Sequence, residues 1–418
     1  MEKERYIVIL EDQQKSALRK VENELEVSIT SSEFLSSENR SFQVIDNDNG
    51  VLYKNLGVLV IENGDVEQLQ SAVRDESNPI VYFEKERDFF PADEWSIITE
   101  LKKQSAEMAE KISELEKYMT SKPLPQKPFM EMEWGLKAIG VGNSIYTGKG
   151  IDICILDTGL EMLHPDFSGK EIEGKSFIAG EDWSRDPNGH GTHCAGIAAG
   201  NIRMDNGKRY GIAKEANLKI AKVLSDSGKG TTSSVIDAID WAITKKFRIL
   251  SLSLASAVKL NEVPSPLFET VGARALDSNC IIVAAAGNDS SRPSLPKPVS
   301  MPANSMSVMA VGAIDGQMKV ARFSNAGLNP ATGGNVNVCA PGVDIISSYP
   351  KNSKNKNGNY YAMSGTSMAT PHVAGLLALY MEQFPEKSAE EIWKWTESRA
   401  KPIEGLKYRD IGTGLIQA

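Results

Sequence analysis

The chain has 418 residues, 41% of them hydrophobic and 24% charged, with a formal net charge of -9. This is the composition of a globular protein long enough for two or three domains, and it excludes a disordered or fibrous chain. The acidic balance argues against nucleic acid or an anionic membrane surface as a partner, since both require clustered Lys and Arg.

The opening residues, MEKERYIVILEDQQ, carry an apolar run of only four, Ile7 to Leu10, and no small-residue cleavage site. No secretory leader is therefore expected. No stretch approaches the roughly 18 apolar residues of a membrane-spanning helix. The four cysteines, Cys154, Cys194, Cys280 and Cys339, form no CxxC pair. Three of them lie in apolar or small-residue stretches, where a reduced thiol packs as a small hydrophobe. A reducing, cytoplasmic setting is expected, with unconventional export as the other route.

RYIVIL reads as a strand and QQKSALRKVENEL as an amphipathic helix. SFQVID and LGVLVIE follow as strands, DVEQLQSAVRD as a second helix and PIVYFEKE as a last strand. The order β-α-β-β-α-β over about 90 residues is that of a small ferredoxin-like α+β unit. A helix from 93 to 119 comes next, because Ile98, Leu101, Met108, Ile112, Leu115 and Met119 step alternately by 3 and 4, with Ser105 filling the gap. Asp93 is its expected cap, and SKPLPQKP ends it as an exposed linker. The stripe suits packing along a neighbouring domain or self-association as a coiled coil.

From residue 132 onward strands and helices alternate. GIDICILDTG, NLKIAKVL, RILSLSLA, CIIVAAAGN and SVMAVGAI read as strands. HGTHCAGIAAG, TSSVIDAIDWAITKK, PLFETVGARALDS and SMATPHVAGLLALYMEQF read as helices. The alternation predicts an α/β fold with a mainly parallel central sheet and helices on both faces. Sites in such folds lie at the carboxyl ends of strands.

Asp157 stands at such a strand end, where it could serve as a cap, a metal ligand or a catalytic acid. Ser367 opens a helix with free backbone N–H groups, a position that suits a cap as well as a nucleophile. His190 and His193 are three apart and Cys194 adjoins the second, a spacing that a metal site could use if further ligands existed. Taken together, Asp157, His190 and Ser367 supply the three roles of nucleophilic acyl transfer: orienting acid, general base and nucleophile.

On DTGLEMLHPDF, NGHGTHCAG, AAAGN and SGTSMATPHVAG, which occur in this order, the chain from 132 to 418 resembles the subtilisin-like serine protease (subtilase) family. The resemblance implies that Asp157 orients, His190 is the base, Ser367 attacks and Asn288 supplies the oxyanion-hole side chain. It also explains His164 and His372 through their own motifs, leaving no further histidine for a metal site. His193 then becomes a buried, hydrogen-bonded residue of the same helix. Cys194 departs from the commonest family pattern and implies sensitivity to thiol reagents.

ILSLSLAS resembles the substrate-binding edge strand, so Ser251, Ser253, Leu254, Ala255 and Ser256, with Ser300 from the loop NDSSRPSLPKPVSMP, are the expected substrate-binding residues. Ala255 and Ser256 stand where the family commonly has two glycines. An extended peptide would add there as a strand. The chemistry requires no cofactor; the one candidate is structural calcium at Asp166, whose loop GNIRMDNGKRYG carries Arg203, Lys208 and Arg209, poor company for a cation.

Residues 1–90 resemble the family's propeptide, an intramolecular inhibitor, with IVYFEKERD as its closing strand. Residues 91–131 form a linker, and 132–418, opening on EWGLKAIG, the catalytic domain. The long linker leaves the cleavage site open. The expected function is a serine endopeptidase acting on peptide or protein substrates and made as a self-inhibited, autoprocessing precursor. The alternatives are a narrow-specificity processing protease and a propeptide-locked, non-catalytic scaffold.

Overall fold

The computed structural model describes residues 4–11, 13–32, 49–62, 64–75, 77–93, 132–168, 170–329, 333–351 and 358–418. In the amino-terminal part, β1 (Arg5–Leu10), α1 (Lys15–Leu25), β2 (Ser28–Ser31), β3 (Asn49–Tyr53), β4 (Val58–Glu62), α2 (Val66–Arg74) and β5 (Ile80–Lys85) form one sheet with two helices. The strand order is β2-β3-β4-β1-β5. The strand preceding β4 is β3; the predicted strand SFQVID lies outside the described residues, and β2 is an addition. Helix α2 starts where Asp65 accepts the backbone N–H groups of Glu67 and Gln68, satisfying donors that a helix leaves open.

Period-2 alternation gives β1 two faces. Val8 and Leu10 pack with Val21, Leu25 and Leu69 of the two helices. Ile7 and Ile9 point the other way, into a cluster shared with the carboxyl-terminal part. The chain then continues into β6 (Asp88–Pro91), which leaves the first sheet altogether. The helix expected over 93–119 and its proline-rich linker lie outside the described residues, apart from Asp93.

The second part holds α3 (Trp134–Ala138), β7 (Asp152–Asp157), β8 (Glu173–Ser176), α4 (His190–Ala199), β9 (Asn217–Lys222), β10 (Gly230–Thr231), α5 (Thr232–Thr244), β11 (Ile249–Leu252), β12 (Leu254–Ala255), α6 (Pro266–Asp277), β13 (Ile281–Ala285), β14 (Met309–Ile314), β15 (Val338–Pro341), β16 (Ile345–Ser348), β17 (Tyr360–Met363), α7 (Thr366–Gln383) and α8 (Ala389–Arg399). Seven strands make a sheet of order β15-β14-β13-β11-β7-β9-β8, with every neighbouring pair parallel.

Buried on both faces, these strands read as continuous apolar runs. Ile153 and Ile155 of β7 face the cluster that holds Ala195 of α4 and Met368 and Val373 of α7. Cys154 and Leu156 face the cluster built on Val235 and Ile239 of α5 and Phe268 of α6, the same cluster that receives Ile7, Ile9 and Val60. The first sheet thus covers α5 and α6. Polar ties complete the seam: Ser32 and Asn55 donate to Asp240 at 2.8 and 3.0 Å, and the backbone N–H of Ser233 donates to Glu86 at 3.0 Å. Among the described residues no helix is long and apolar enough to cross a membrane.

Candidate active site

Strand β7 ends on Asp157, at the sheet's carboxyl edge. Its Oδ1 accepts the Thr158 backbone N–H at 2.7 Å and His190 Nδ1–H at 2.7 Å. His190 is the first residue of α4, reached through Gly189 at φ 91°, where a side chain would also strike the Tyr349 ring. The turn before it is held by Asp186, whose carboxylate accepts from Thr158 Oγ1 (2.8 Å), Gly189 N–H (2.9 Å), Thr192 N–H (2.8 Å) and Thr192 Oγ1 (2.7 Å). Burial pushes this carboxyl's pKa up, against the hydrogen bonds that favour its charge. On the neighbouring strand Lys222 pairs in register with Asp157. Its ammonium donates to the Thr158 carbonyl and pairs with Asp226 at 2.8 Å and Glu181 at 3.0 Å. Sequence reasoning missed both Asp186 and Lys222.

Ser367 lies at the start of α7. Its hydroxyl donates to the Ser253 carbonyl at 2.9 Å, and the Ser253 hydroxyl donates to the Ser367 carbonyl at 2.8 Å. Asn288, in the loop after β13, accepts at Oδ1 from the backbone N–H and the hydroxyl of Thr366, both at 2.9 Å. This fixes the amide so that Nδ2 points into the cleft, where it donates to the carbonyl of Ala92. The Ser367 backbone N–H donates to the same oxygen at 3.1 Å. On the far side of that peptide bond, Asp93 Oδ2 lies 3.5 Å from His190 Nε2. Helix α4, helix α7 and the loop after β13 therefore converge on the bond between Ala92 and Asp93.

The segment leading to this bond is bound as a strand. β6 runs antiparallel to β10, with Phe89 opposite Gly230, and antiparallel to β12, with Phe90 opposite Ala255 and Pro91 opposite Leu254. The Ala92 N–H donates to the Ser253 carbonyl at 3.1 Å. Phe89 is fully buried and meets Phe268 edge-on at 5.5 Å, a contact that sequence reasoning missed. Ser253, Leu254 and Ala255 lie along β6.

Ser256, Ser251 and Ser300 do not touch β6 in this way. Ser256 exchanges backbone hydrogen bonds with Met301 at 2.9 and 3.0 Å. Ser251 sits inside the seven-stranded sheet, between Ile155 and Val283, because the binding edge begins only where the chain leaves that sheet at Ser253. Ser300 is buried behind Gly287, where its hydroxyl donates to Asp289 and accepts from Asn325, both at 3.1 Å. It supports the Asn288 loop from behind.

Burial opposes charge on His190, but the Asp157 carboxylate and the hydrogen bond to it favour the imidazolium, and the balance holds its pKa well above the ordinary value. His193 points away, with Nε2–H shared between the carbonyls of Ile345 and Tyr361, each at 3.0 Å. Burial pushes its pKa down to about 3. Cys194 Sγ lies 3.9 Å from His190 Nδ1, and burial pushes its thiol up to about 11. That corrects the expectation of a reactive thiol, which needs a lowered pKa and access. Asp157, His190 and Cys194 bring ligand-type atoms within 4.8 Å of one another. In the structure Nδ1 bonds Asp157 and the thiol approaches the same nitrogen, so the three form a hydrogen-bonded group.

The residues around Asp166 do not fit calcium. Its carboxylate accepts from the Tyr210 hydroxyl and from the Tyr360 hydroxyl at 2.9 Å. The Arg203 guanidinium lies over the Tyr360 ring, 5.1 Å from its centroid, and bonds Glu133 and Asp205 at 2.7 and 2.6 Å. Two hydroxyl donors take up the Asp166 carboxylate, where a hard cation would need several free oxygens.

A parallel α/β sheet that gathers a carboxylate-bound histidine, a serine at a helix start and an amide donor around one peptide bond defines a hydrolase of the serine type. The subtilase family model matches residues 148–413. Subtilisin DY of Bacillus licheniformis is 36% identical over 286 residues, 67% of this chain and 94% of the relative. Subtilisin Savinase of Lederbergia lenta is 35% identical over 289 residues, 68% of this chain and 96% of the relative. Among solved structures, sphericase superposes with a TM-score of 0.59 at 30% identity, covering 69% of this chain and 98% of that one. The chain belongs to the subtilase family and is a subtilisin-type serine endopeptidase.

Proposed function

We propose that this endopeptidase is made as a self-inhibited precursor that cuts its own chain between Ala92 and Asp93, residues 1–92 then acting as the inhibitor. Ser367 is the nucleophile, His190 the general base, Asp157 the orienting acid, and Asn288 with the Ser367 N–H the oxyanion donors. The observation that carries the reading is the Ala92 carbonyl, which accepts from both Asn288 Nδ2 and the Ser367 N–H.

In the reaction the Ser367 hydroxyl turns from the Ser253 carbonyl toward His190. Oγ attacks the Ala92 carbonyl carbon as its proton passes to Nε2. The carbonyl oxygen becomes an anion where the two donors already point. The Ala92 to Asp93 bond then breaks, His190 returns the proton to the departing amine, and water hydrolyses the acyl-enzyme. These side chains supply every role, so no cofactor enters. Ala255, opposite Phe90 in the groove, favours narrow specificity as a second reading, which casein digestion tests. The buried, unpaired cysteines support a reducing compartment.

Intact-mass spectrometry of wild type beside Ser367→Ala, with fluorophosphonate labelling of both, tests the reading. Wild type is expected to yield a fragment ending at Ala92 and to take the label; Ser367→Ala is expected to stay whole and unlabelled. A wild-type chain that stays whole and unlabelled would instead make the amino-terminal part a standing lock.

A further inference from the structure

We propose that Asp93 slows cleavage of the bond it follows, because its carboxylate competes with Ser367 for His190 Nε2; the site therefore disfavours an acidic residue directly after the scissile bond. The inference rests on the reading that Ser367 cuts between Ala92 and Asp93.

Carboxylates stand on both sides of the His190 ring. Nδ1 bonds Asp157 at 2.7 Å and Nε2 lies 3.5 Å from Asp93, with both carboxylates buried. An opposite charge this close favours the charged form of a titrating group. The imidazolium so favoured has no lone pair on Nε2 and cannot accept the serine proton. The Ser367 hydroxyl correspondingly bonds the Ser253 carbonyl at 2.9 Å, and Nε2 has no hydrogen-bond partner among the described residues.

The other titratable groups near the ring do not reach Nε2 in this way. Cys194, from the same helix, approaches Nδ1 and keeps its proton. His193 turns to the Ile345 and Tyr361 carbonyls. Asp186 and Lys222 stand one layer back, on the hydroxyl and carbonyl of Thr158. Asp93 acts through His190 and is a positioning residue. Once the bond is cut, Asp93 is the amino-terminal residue of the departing segment, so the restraint applies to the uncleaved chain.

The test compares full-length wild type with Asp93→Asn and with the smaller neutral replacement Asp93→Ser. Cleavage is started by dilution from denaturant and followed by intact mass between pH 5 and pH 10. An opposite charge moves a pKa by about 1–3 at this range, so the neutral variants are expected to cleave at least about tenfold faster at the acid end. The ratio should fall as the pH rises, because deprotonation of His190 removes the difference between the chains. Cleavage after Ala92 at equal rates, or with a ratio constant across the range, would overturn the role of Asp93 and leave the processing reading standing. Failure of every chain to release a fragment ending at Ala92 would overturn both.

Discussion

Asn288 uses its two amide ends differently. Oδ1 is pinned by the Thr366 N–H and hydroxyl, so Nδ2 is aimed before any oxyanion forms, and no reorganisation is needed during reaction. Asn288→Leu removes that donor together with the acceptor of the two Thr366 bonds. The expected outcome is a kcat lower by about 10²–10³ with KM nearly unchanged, a magnitude carried over from this enzyme family and not obtained from the geometry. Steady-state kinetics on a peptide ending in Phe-Phe-Pro-Ala before the cut would check it, and a loss confined to KM would contradict the role. Asn288 was singled out by the resemblance of its short motif AAAGN, although the strand it was expected to end stops at Ala285 and leaves it in the following loop. Asp186 and Lys222 were not, since their roles exist only where the turn before α4 and the end of β9 meet around Thr158. Nothing in SRDPNGHGTH separates a buried, fourfold hydrogen-bonded aspartate from a solvated turn residue.

At the scale of elements, the informative piece is β6. IVYFEKERD reads as one closing strand, yet the chain breaks at Glu86 and Arg87; β5 stays with the first sheet while β6 bridges β10 and β12. Alternation fixes that a segment is extended but not which edge it joins, because main-chain pairing is indifferent to sequence. The junction depends on Gly365. Its backbone is extended, with φ 161°, so only space is at issue. A Cβ there would meet the Ala92 carbonyl oxygen at 2.6 Å and Asp93 Cα at 3.0 Å. Gly365→Ala should therefore push the tail off its two donors while leaving the sheets intact. Misplacement by about 1 Å can cost about 10²-fold in rate, so the fragment ending at Ala92 should appear about a hundredfold more slowly, at an unchanged thermal midpoint. Unchanged processing would show that the tail reaches the donors by another path.

The whole molecule was legible to the extent that its helices and strands alternate. Nearly continuous apolar strands such as DICIL and CIIVAA dictated a parallel sheet covered on both faces. Missing from the sequence reading were β15, the β16–β17 hairpin and α8, short or weakly patterned pieces whose burial comes from α4 and α7 and not from their own periodicity. The hairpin matters for stability through histidine. His193 ties α4 to it by bonding the Ile345 and Tyr361 carbonyls, and His372 bonds the Met368 carbonyl at 2.8 Å within α7. Burial lowers their pKa values to about 3 and about 4, below the value of about 6.5 that an unfolded histidine takes. Between pH 6.5 and about 4 the unfolded chain therefore binds more protons than the folded one, and stability falls as pH falls. Each histidine contributes up to about 1.4 kcal/mol per pH unit in that window. Asp186 and Glu84, whose carboxyls burial pushes up, act in the opposite sense and reduce the slope. Urea denaturation of Ser367→Ala, which removes self-digestion, should show a loss of about 2–4 kcal/mol between pH 7 and pH 5. His372→Gln should lose less over the same interval, since it deletes one of the titrations that act in this sense, to which His164 also contributes, and equal stability at the two pH values would mean that these rings are not held neutral by the fold.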